Sequence, residues 1–325
     1  MDREPILIAG AGAIGSFIGA MLHRKGHRVT MLGRQAHFAA AARTGLRITG
    51  LFGDHLINGL DLIDDASKLK GRFALILVTT KPYDTAQIAD AIAGRLADDG
   101  LVVSLQNGLG NIEALAAKFG GARVLGGRVI FGAEMREPGT THITVFADPI
   151  AVGPDPAQQG EAAQALEARA REIAAMLDAA GVPTVAVGDI MPVIWNKLLY
   201  NAALNPLGAL FGLTYGQLAG DLDLKLILDD VIDEAFAVAR GLGVRLQFQS
   251  AAAYREVFYG RLIPSTRDHR PTMLGDLRGR GRTDVDSLNG KIVELGDRVG
   301  LNVDTNRMLT RMIHAAERAR RAEMK

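Results

Sequence analysis

Residues 5–26 read "PILIAGAGAIGSFIGAMLHRKG". The apolar run Pro5 to Ala9 passes directly into Gly10-Ala11-Gly12-Ala13-Ile14-Gly15, after which Phe17, Ile18, Met21 and Leu22 recur at helical spacing up to Gly26. The order is strand, glycine turn, helix. A GxGxxG pattern alone is common among turns. Placed between a strand and a helix it fits a dinucleotide fingerprint, because the glycines permit a tight turn and let backbone approach a pyrophosphate at the helix N-terminus. Gly10 to Gly15 are therefore candidate cofactor-binding residues.

Working outward, the second strand, His27 to Leu32, should end at the adenosine ribose, where an NAD-preferring site usually carries Asp or Glu. Here Gly33-Arg34 follows, and no Asp or Glu lies between Glu4 and Asp54, whereas Arg24, Lys25, Arg28, Arg34, Arg43 and Arg47 do. A guanidinium holds a 2′-phosphate that a carboxylate would repel, so the expected cofactor is NADP(H), with Arg34 on its 2′-phosphate. The run "FALILVTT", Phe73 to Thr80, has the continuous apolarity of a strand buried in a parallel sheet, and Lys81-Pro82 follows it. A helical stretch (Tyr83 to Leu96), a strand (Leu101 to Gln106) and the polar turn Asn107-Gly108-Leu109-Gly110 come next. Ligands of open parallel sheets bind beyond the carboxyl ends of strands, so Lys81 and Asn107 are candidates to face cofactor or substrate.

Residues 123 to 153 read as strands broken by turn signals at Glu137-Pro138-Gly139 and Asp148-Pro149. A helix (Glu161 to Ala180) and a strand (Pro183 to Gly188) close the first domain. From Asp189 on, helical periodicity dominates in Trp195 to Leu204, Leu222 to Leu242, Ala251 to Tyr259, Val285 to Val299 and Asn306 to Ala322. The expected fold is an α/β Rossmann-type doubly wound sheet domain over 1–188 followed by an all-helical C-terminal domain over 189–325.

Composition limits the function. With 325 residues, 48% of them hydrophobic, the chain can bury two cores. Lys plus Arg number 37 against 36 Asp plus Glu, so no global attraction to nucleic acid or to a membrane is indicated. Cysteine is absent, which excludes disulfides, zinc-thiolate sites and thiol catalysis. The seven histidines are scattered without ligand spacing, so no metal site is expected. No apolar run approaches the roughly 20 residues that span a bilayer, and a cytoplasmic location is the default expectation.

The helical half carries two oddly polar stretches. In "WNKLLYNAALNPL", residues 195–207, Lys197, Asn201 and Asn205 stand at steps of four and share one helical face beside the apolar stripe Trp195, Leu198, Leu199 and Ala202. The stripe is either an exposed face with amides serving the helix end that Pro206 imposes, or the polar side of a site. In "RPTMLGDLRGRGRTDVDSLNG", residues 270–290, glycines and arginines suggest a mobile cationic loop, with Thr283 and Asp286 spaced as a helix N-cap. Its functional reading sends Thr272, Asp284 and the arginines into a cleft between domains. A nicotinamide cofactor delivers hydride, and a ketone acceptor then develops an alkoxide that must be protonated or stabilised. Lysine can do both, so Lys197 flanked by Asn201 makes chemical sense there.

Taken in order, Gly10 to Gly15, "VTTK" ending at Lys81, "QNGLG" around Asn107, "WNKLLYNAALNPL" and "PTMLGDLRGRGRTDVDSLNG" resemble the ketopantoate reductase (2-dehydropantoate 2-reductase) family over nearly the whole chain. The resemblance implies NADPH-dependent reduction of the 2-oxo group of ketopantoate to (R)-pantoate, a step of pantothenate and coenzyme A synthesis. It makes Lys197 the general acid, puts Asn107, Asn201, Asn205, Thr272 and Asp284 at the substrate, and puts Gly10, Ala11, Gly12, Ala13, Ile14, Gly15, Arg34, Lys81, Asn107 and Ala133 at NADP(H). The partner is then a small 2-oxo acid, and a homodimer is the oligomeric expectation. The family usually has Ser where Thr272 stands, Gln where Gly275 stands and Glu where Asp284 stands. The shorter carboxylate leaves open a paralogue acting on another branched or aromatic 2-oxo acid. A non-catalytic NADPH-binding sensor and a 3-hydroxy acid dehydrogenase are the alternatives from other classes.

Overall fold

The computed structural model describes residues 4–324, the side chain of Arg280 excepted, and places β1 (Ile6–Ala9) inside a sheet of ten strands. β1 is buried on both faces and pairs in parallel with β2 (Val29–Leu32) on one side. Beyond β2 lies β5 (Asp61–Ile63), also parallel. On the other side of β1 come β6 (Phe73–Val78), β7 (Leu96–Ser104) and β8 (Val124–Glu137), again parallel. The chain thus winds outward from β1 in one direction, then returns and winds in the other. The reversal falls between β1 and β6, and the carboxyl ends of those two strands border the crevice that such a sheet offers a ligand.

The far side of the sheet is extended by a hairpin, β8 running antiparallel to β9 (Thr140–Gly153), with Gly139 at φ +83° in the turn. Asp148-Pro149, expected to break the chain, lies within β9 where the pairing register shifts. The irregularity accommodates a proline without a ladder N–H, and the Asp148 carboxylate accepts from Arg128 Nη2 at 2.7 Å. β3 (Leu46–Gly50), β4 (His55–Ile57) and β10 (Thr184–Ala186) complete the sheet. The helices of this unit are α1 (Ala13–Arg24), α2 (Gln35–Thr44), α3 (Thr85–Ile92), α4 (Asn111–Phe119) and α5 (Gly160–Ala179). Phe17, Ile18, Met21 and Leu22, which share a face of α1, bury against strand residues such as Ile8, Met31 and Leu77.

The second unit is helical from Met191 on: α6 (Met191–Phe211), α7 (Tyr215–Gly220), α8 (Leu222–Gly241), α9 (Ala251–Val257), α10 (Ile263–Ser265), α11 (Thr272–Arg280), α12 (Asn289–Arg298) and α13 (Asp304–Glu323). The division by contacts joins residues up to Gln106 with Asn111–Ile190, and assigns the turn Asn107–Gly110 to the helical unit. No described helix is long and apolar enough to cross a membrane.

Two expectations are corrected here. Helix α6 does not end at Pro206 but continues to Phe211, because a side chain from elsewhere, Asn289, serves the Ala202 carbonyl that the proline leaves without its helical donor. Residues 272–280 are helix rather than loop. Buried Met273, Leu274 and Leu277 give α11 a packed face that outweighs its glycines, and Gly281, at φ +58°, ends it in the left-handed conformation.

Candidate active site

The first unit builds a turn suited to phosphate. The N–H groups of Gly10 and Ala11 donate to Leu32 O at 3.0 and 2.8 Å, and Thr79 Oγ1 donates to Gly10 O at 2.7 Å, so the turn is tied to both neighbouring strands. Gly10 has φ +110°, and a Cβ there would stand 2.5 Å from Thr80 N; one at Gly15 would stand 2.4 Å from Thr79 Oγ1. Gly12 differs, since the nearest atom to its would-be Cβ is Gly10 O at 4.0 Å. Two glycines thus serve packing, and Gly12 keeps open the approach to the N-terminus of α1, whose first turn has no acidic residue.

Arg34 is exposed and occupies the N-cap position of α2, directly after Gly33, whose would-be Cβ lies 3.0 Å from Ala11 Cβ. The guanidinium therefore springs from the flank of the glycine turn. Lys81 is half-buried at the head of the short turn Pro82–Asp84, after β6. Gln106 Nε2 donates to Thr80 Oγ1 at 3.1 Å and to Thr85 Oγ1 at 2.7 Å, which fixes that loop against the end of β7. Ala133 lies in β8 opposite Ile143 and packs against the core.

Sequence reasoning overlooked His37. Buried in α2, it accepts the Gly139 N–H on Nδ1 at 3.0 Å, which leaves the proton on Nε2 to meet Ser16 Oγ at 3.0 Å. Ser16 in turn donates to Ala11 O at 3.3 Å. Burial, aided by the Arg34 charge, lowers the pKa of His37 from its ordinary 6.5. The folded chain therefore holds it neutral, while the unfolded chain takes up a proton below about pH 6.5. Stability from this group is complete above that value and is lost as pH falls toward the lowered native pKa. His37→Asn keeps an acceptor near Gly139 without a titrating ring. Melting from pH 8 to 5 should show the stability gap between wild type and His37→Asn narrowing with acid; a constant gap would exclude the linkage.

In the helical unit, Lys197 Nζ donates to Asn107 Oδ1 at 2.5 Å. The turn carrying Asn107 is seated by Leu109 N–H donating to Ser287 O at 3.0 Å, and by Gly108, at φ +78°, whose would-be Cβ stands 2.3 Å from the same oxygen. Asn201 and Asn205 are buried on the Lys197 face of α6, so the polar stripe is not a solvated one. Tyr215 Oη donates to Asn205 Oδ1 at 3.0 Å and fixes which way that amide points. Burial raises the Tyr215 pKa, with Tyr200 and the Asp284 charge adding to it, so its hydroxyl stays a donor.

Asp284 is buried before the turn Val285–Ser287 and is near enough to Tyr215 for that electrostatic effect. The expected Thr283/Asp286 capping pair is not formed. Thr283 Oγ1 accepts from Val285 N–H at 3.3 Å and donates to Glu317 at 2.7 Å, whereas Asp286 is exposed and meets His314 at 2.8 Å. Thr272 is exposed at the first position of α11, next to Pro271, against which Gly208 of α6 packs. Tyr215 could have been sought in the sequence through the Thr214/Gln217 capping box that opens its helix; the box is present. Among the described residues no group of three or more His, Asp or Glu side chains is placed to hold a metal ion.

An ammonium that meets the Asn107 carboxamide, with buried carboxamides along its helix, suits proton delivery to a developing alkoxide. Comparison with known proteins identifies the family. Ketopantoate reductase PanE/ApbA matches residues 6–156, and the C-terminal part of the same family matches residues 189–317. The chain is 34% identical to the 2-dehydropantoate 2-reductase of Aquifex aeolicus over 311 residues, 96% of each chain, and 33% identical to that of Archaeoglobus fulgidus, covering 98% of this chain and 99% of the relative. The crystal structure of a PanE/ApbA family ketopantoate reductase from Ralstonia eutropha is similar with a TM-score of 0.85 and 32% identity, over 98% of this chain and 99% of that one. With both halves matched in order and the relatives aligned from end to end, the chain belongs to the ketopantoate reductase family.

Proposed function

We propose that this protein reduces the 2-oxo group of 2-dehydropantoate to the (R)-alcohol with NADPH. The observation that carries the reading is the Lys197 ammonium held at 2.5 Å by Asn107, in a chain 34% identical to a 2-dehydropantoate 2-reductase over nearly its full length. The glycine turn fits the dinucleotide, since Gly12 leaves open the space a Cβ would fill. The turn Gly10 to Gly15 would hold the pyrophosphate through the Ala13, Ile14 and Gly15 N–H groups that open α1, Arg34 the 2′-phosphate and Lys81 a cofactor phosphate, with Ala133 also at the cofactor. When bound, the cofactor supplies the hydride that adds to C2. Lys197 gives its proton to the carbonyl oxygen as negative charge grows there, and Asn107 holds the ammonium in line and contacts nicotinamide and substrate. Asn201 and Asn205 contact the 2-oxo acid, Tyr215 keeping the Asn205 amide in one orientation. Thr272 and Asp284 meet the substrate's hydroxyl end.

Preference for another branched or aromatic 2-oxo acid is the alternative that the shorter Asp284 side chain leaves open in the sequence, and the relatives do not favour it. Both are tested by following NADPH consumption with 2-dehydropantoate beside a panel of 2-oxo acids, with NADH as control. Faster turnover of 2-dehydropantoate supports the first reading, faster turnover of another acid the second, and none with any acid overturns both. In the same assay Arg34→Ala should raise KM for NADPH about tenfold or more and leave KM for NADH unchanged, the loss expected of a charge-assisted bond to phosphate. Equal affinity of the wild type for both cofactors would remove Arg34 from this role.

A further inference from the structure

Pro206 has no N–H, so the carbonyl of Ala202, four residues earlier in α6, lacks the donor that an unbroken helix would supply. Asn289, the first residue of α12, donates Nδ2–H to that carbonyl at 3.0 Å. The same nitrogen donates to Asn306 Oδ1 at 3.0 Å. Asn306 is fixed in its turn, since its Nδ2 donates to Glu234 Oε2 at 2.7 Å. Glu234 closes the chain by accepting the backbone N–H groups of Thr305 and Asn306, at 2.8 and 2.9 Å, in the first turn of α13. Asn289 and Asn306 have no exposed surface, so water does not compete for these bonds.

The position of Asn289 gives this arrangement its meaning. Two residues before it, Ser287 O accepts Leu109 N–H and seats the turn that carries Asn107. The run Ser287-Leu288-Asn289 therefore grips both parts that must meet: the Asn107 turn at Leu109, and α6, the helix of Lys197, at Ala202.

We infer that Asn289 is a positioning residue for the Lys197 and Asn107 pair, supplying to α6 the donor that Pro206 removes and so fixing the helix in register with the turn. The inference rests on Lys197 being the proton donor of the proposed reaction. A shift of about 1 Å at a reacting group can cost on the order of a hundredfold in rate, so a helix loosened five residues from Lys197 is felt in the chemistry.

The test exchanges one donor for another. Asn289→Ala, Pro206→Ala and the double variant are made in the full chain and assayed with NADPH and the best substrate of the wild type. Asn289→Ala should lower kcat about ten- to a hundredfold with KM for NADPH unchanged. Pro206→Ala restores a backbone N–H facing the Ala202 carbonyl, so the double variant should recover at least about tenfold of that loss. A double variant no better than Asn289→Ala overturns the inference, as does an Asn289→Ala protein that melts earlier yet keeps its kcat. If Asn289→Ala does not accumulate as folded protein, recovery of folded protein in the double variant reads the same exchange, and no recovery refutes it. If the wild type reduces no 2-oxo acid, the functional reading fails and the positioning role with it, while thermal melting of the four proteins still decides the donor exchange.

Discussion

Lys197→Ala should lower kcat for 2-dehydropantoate by at least about a hundredfold, equivalent to about 2.7 kcal/mol of transition-state stabilisation. The ammonium is the cation that Asn107 Oδ1 holds at 2.5 Å, and an alanine methyl can neither donate a proton nor attract a developing alkoxide. The neighbouring carboxamides of Asn201 and Asn205 do not replace it, because an amide donates a hydrogen bond without giving up its proton. Lys197→Arg separates the two parts of the role. Guanidinium keeps the charge but holds its proton too tightly to release it near neutral pH, so this variant should also be severely slow. KM for NADPH should change little in both, since the glycine turn and Arg34 are untouched. A near-normal rate for Lys197→Ala in steady-state assays would remove the lysine from the chemistry.

The second large effect is expected at Gly10. A left-handed conformation costs a residue with a Cβ roughly 1–2 kcal/mol, and forcing a methyl into packed surroundings costs roughly 1–3 kcal/mol more. At Gly10 both apply, with φ +110° and the would-be Cβ 2.5 Å from Thr80 N and 2.6 Å from Thr80 Cγ2. Thr80 N and Cα are backbone atoms and cannot give way as the end of a flexible side chain could. Gly10→Ala should therefore melt well below the wild type and bind NADPH at least about tenfold more weakly in a fluorescence titration. Gly12→Ala is the control that tells packing from ligand approach, because its methyl meets nothing nearer than 4.0 Å. It should melt like the wild type and still lose affinity for NADPH. Wild-type affinity in both variants would show that the turn is not the pyrophosphate site.

What could be read from the sequence was whatever is decided locally. The strand, glycine turn and helix of residues 5–26 follow from an apolar run, a glycine cluster and helical spacing set side by side, and β1 and α1 are found there. The step of four from Lys197 to Asn201 to Asn205 gives a shared helical face, and both asparagines are buried on it rather than solvated. Expectations failed where a distant partner overrides a local rule. Pro206 predicts a helix end, but the Ala202 carbonyl finds a donor in Asn289, 87 residues away, and α6 continues to Phe211. The glycines and arginines of 270–290 suggested a loop, yet Met273, Leu274 and Leu277 find a core that holds α11. Likewise His37 carries no local mark of its role, which depends on Gly139 at a separation of 102 residues and on Ser16.

The assignment of Asn107–Gly110 to the helical unit limits how this enzyme can be taken apart. Four residues from the first half of the chain belong, by their contacts, with the last part. A fragment starting at Met191 would carry Lys197 but no Asn107, and Ser287 O would have lost the N–H it receives from Leu109. Chimeras that join the sheet unit of one relative to the helices of another at this boundary bring together a turn and a seat of different ancestry. Recombination would succeed most often where the donor of the helical unit also contributes the codons for residues 107–110, so the heritable module is discontinuous along the gene.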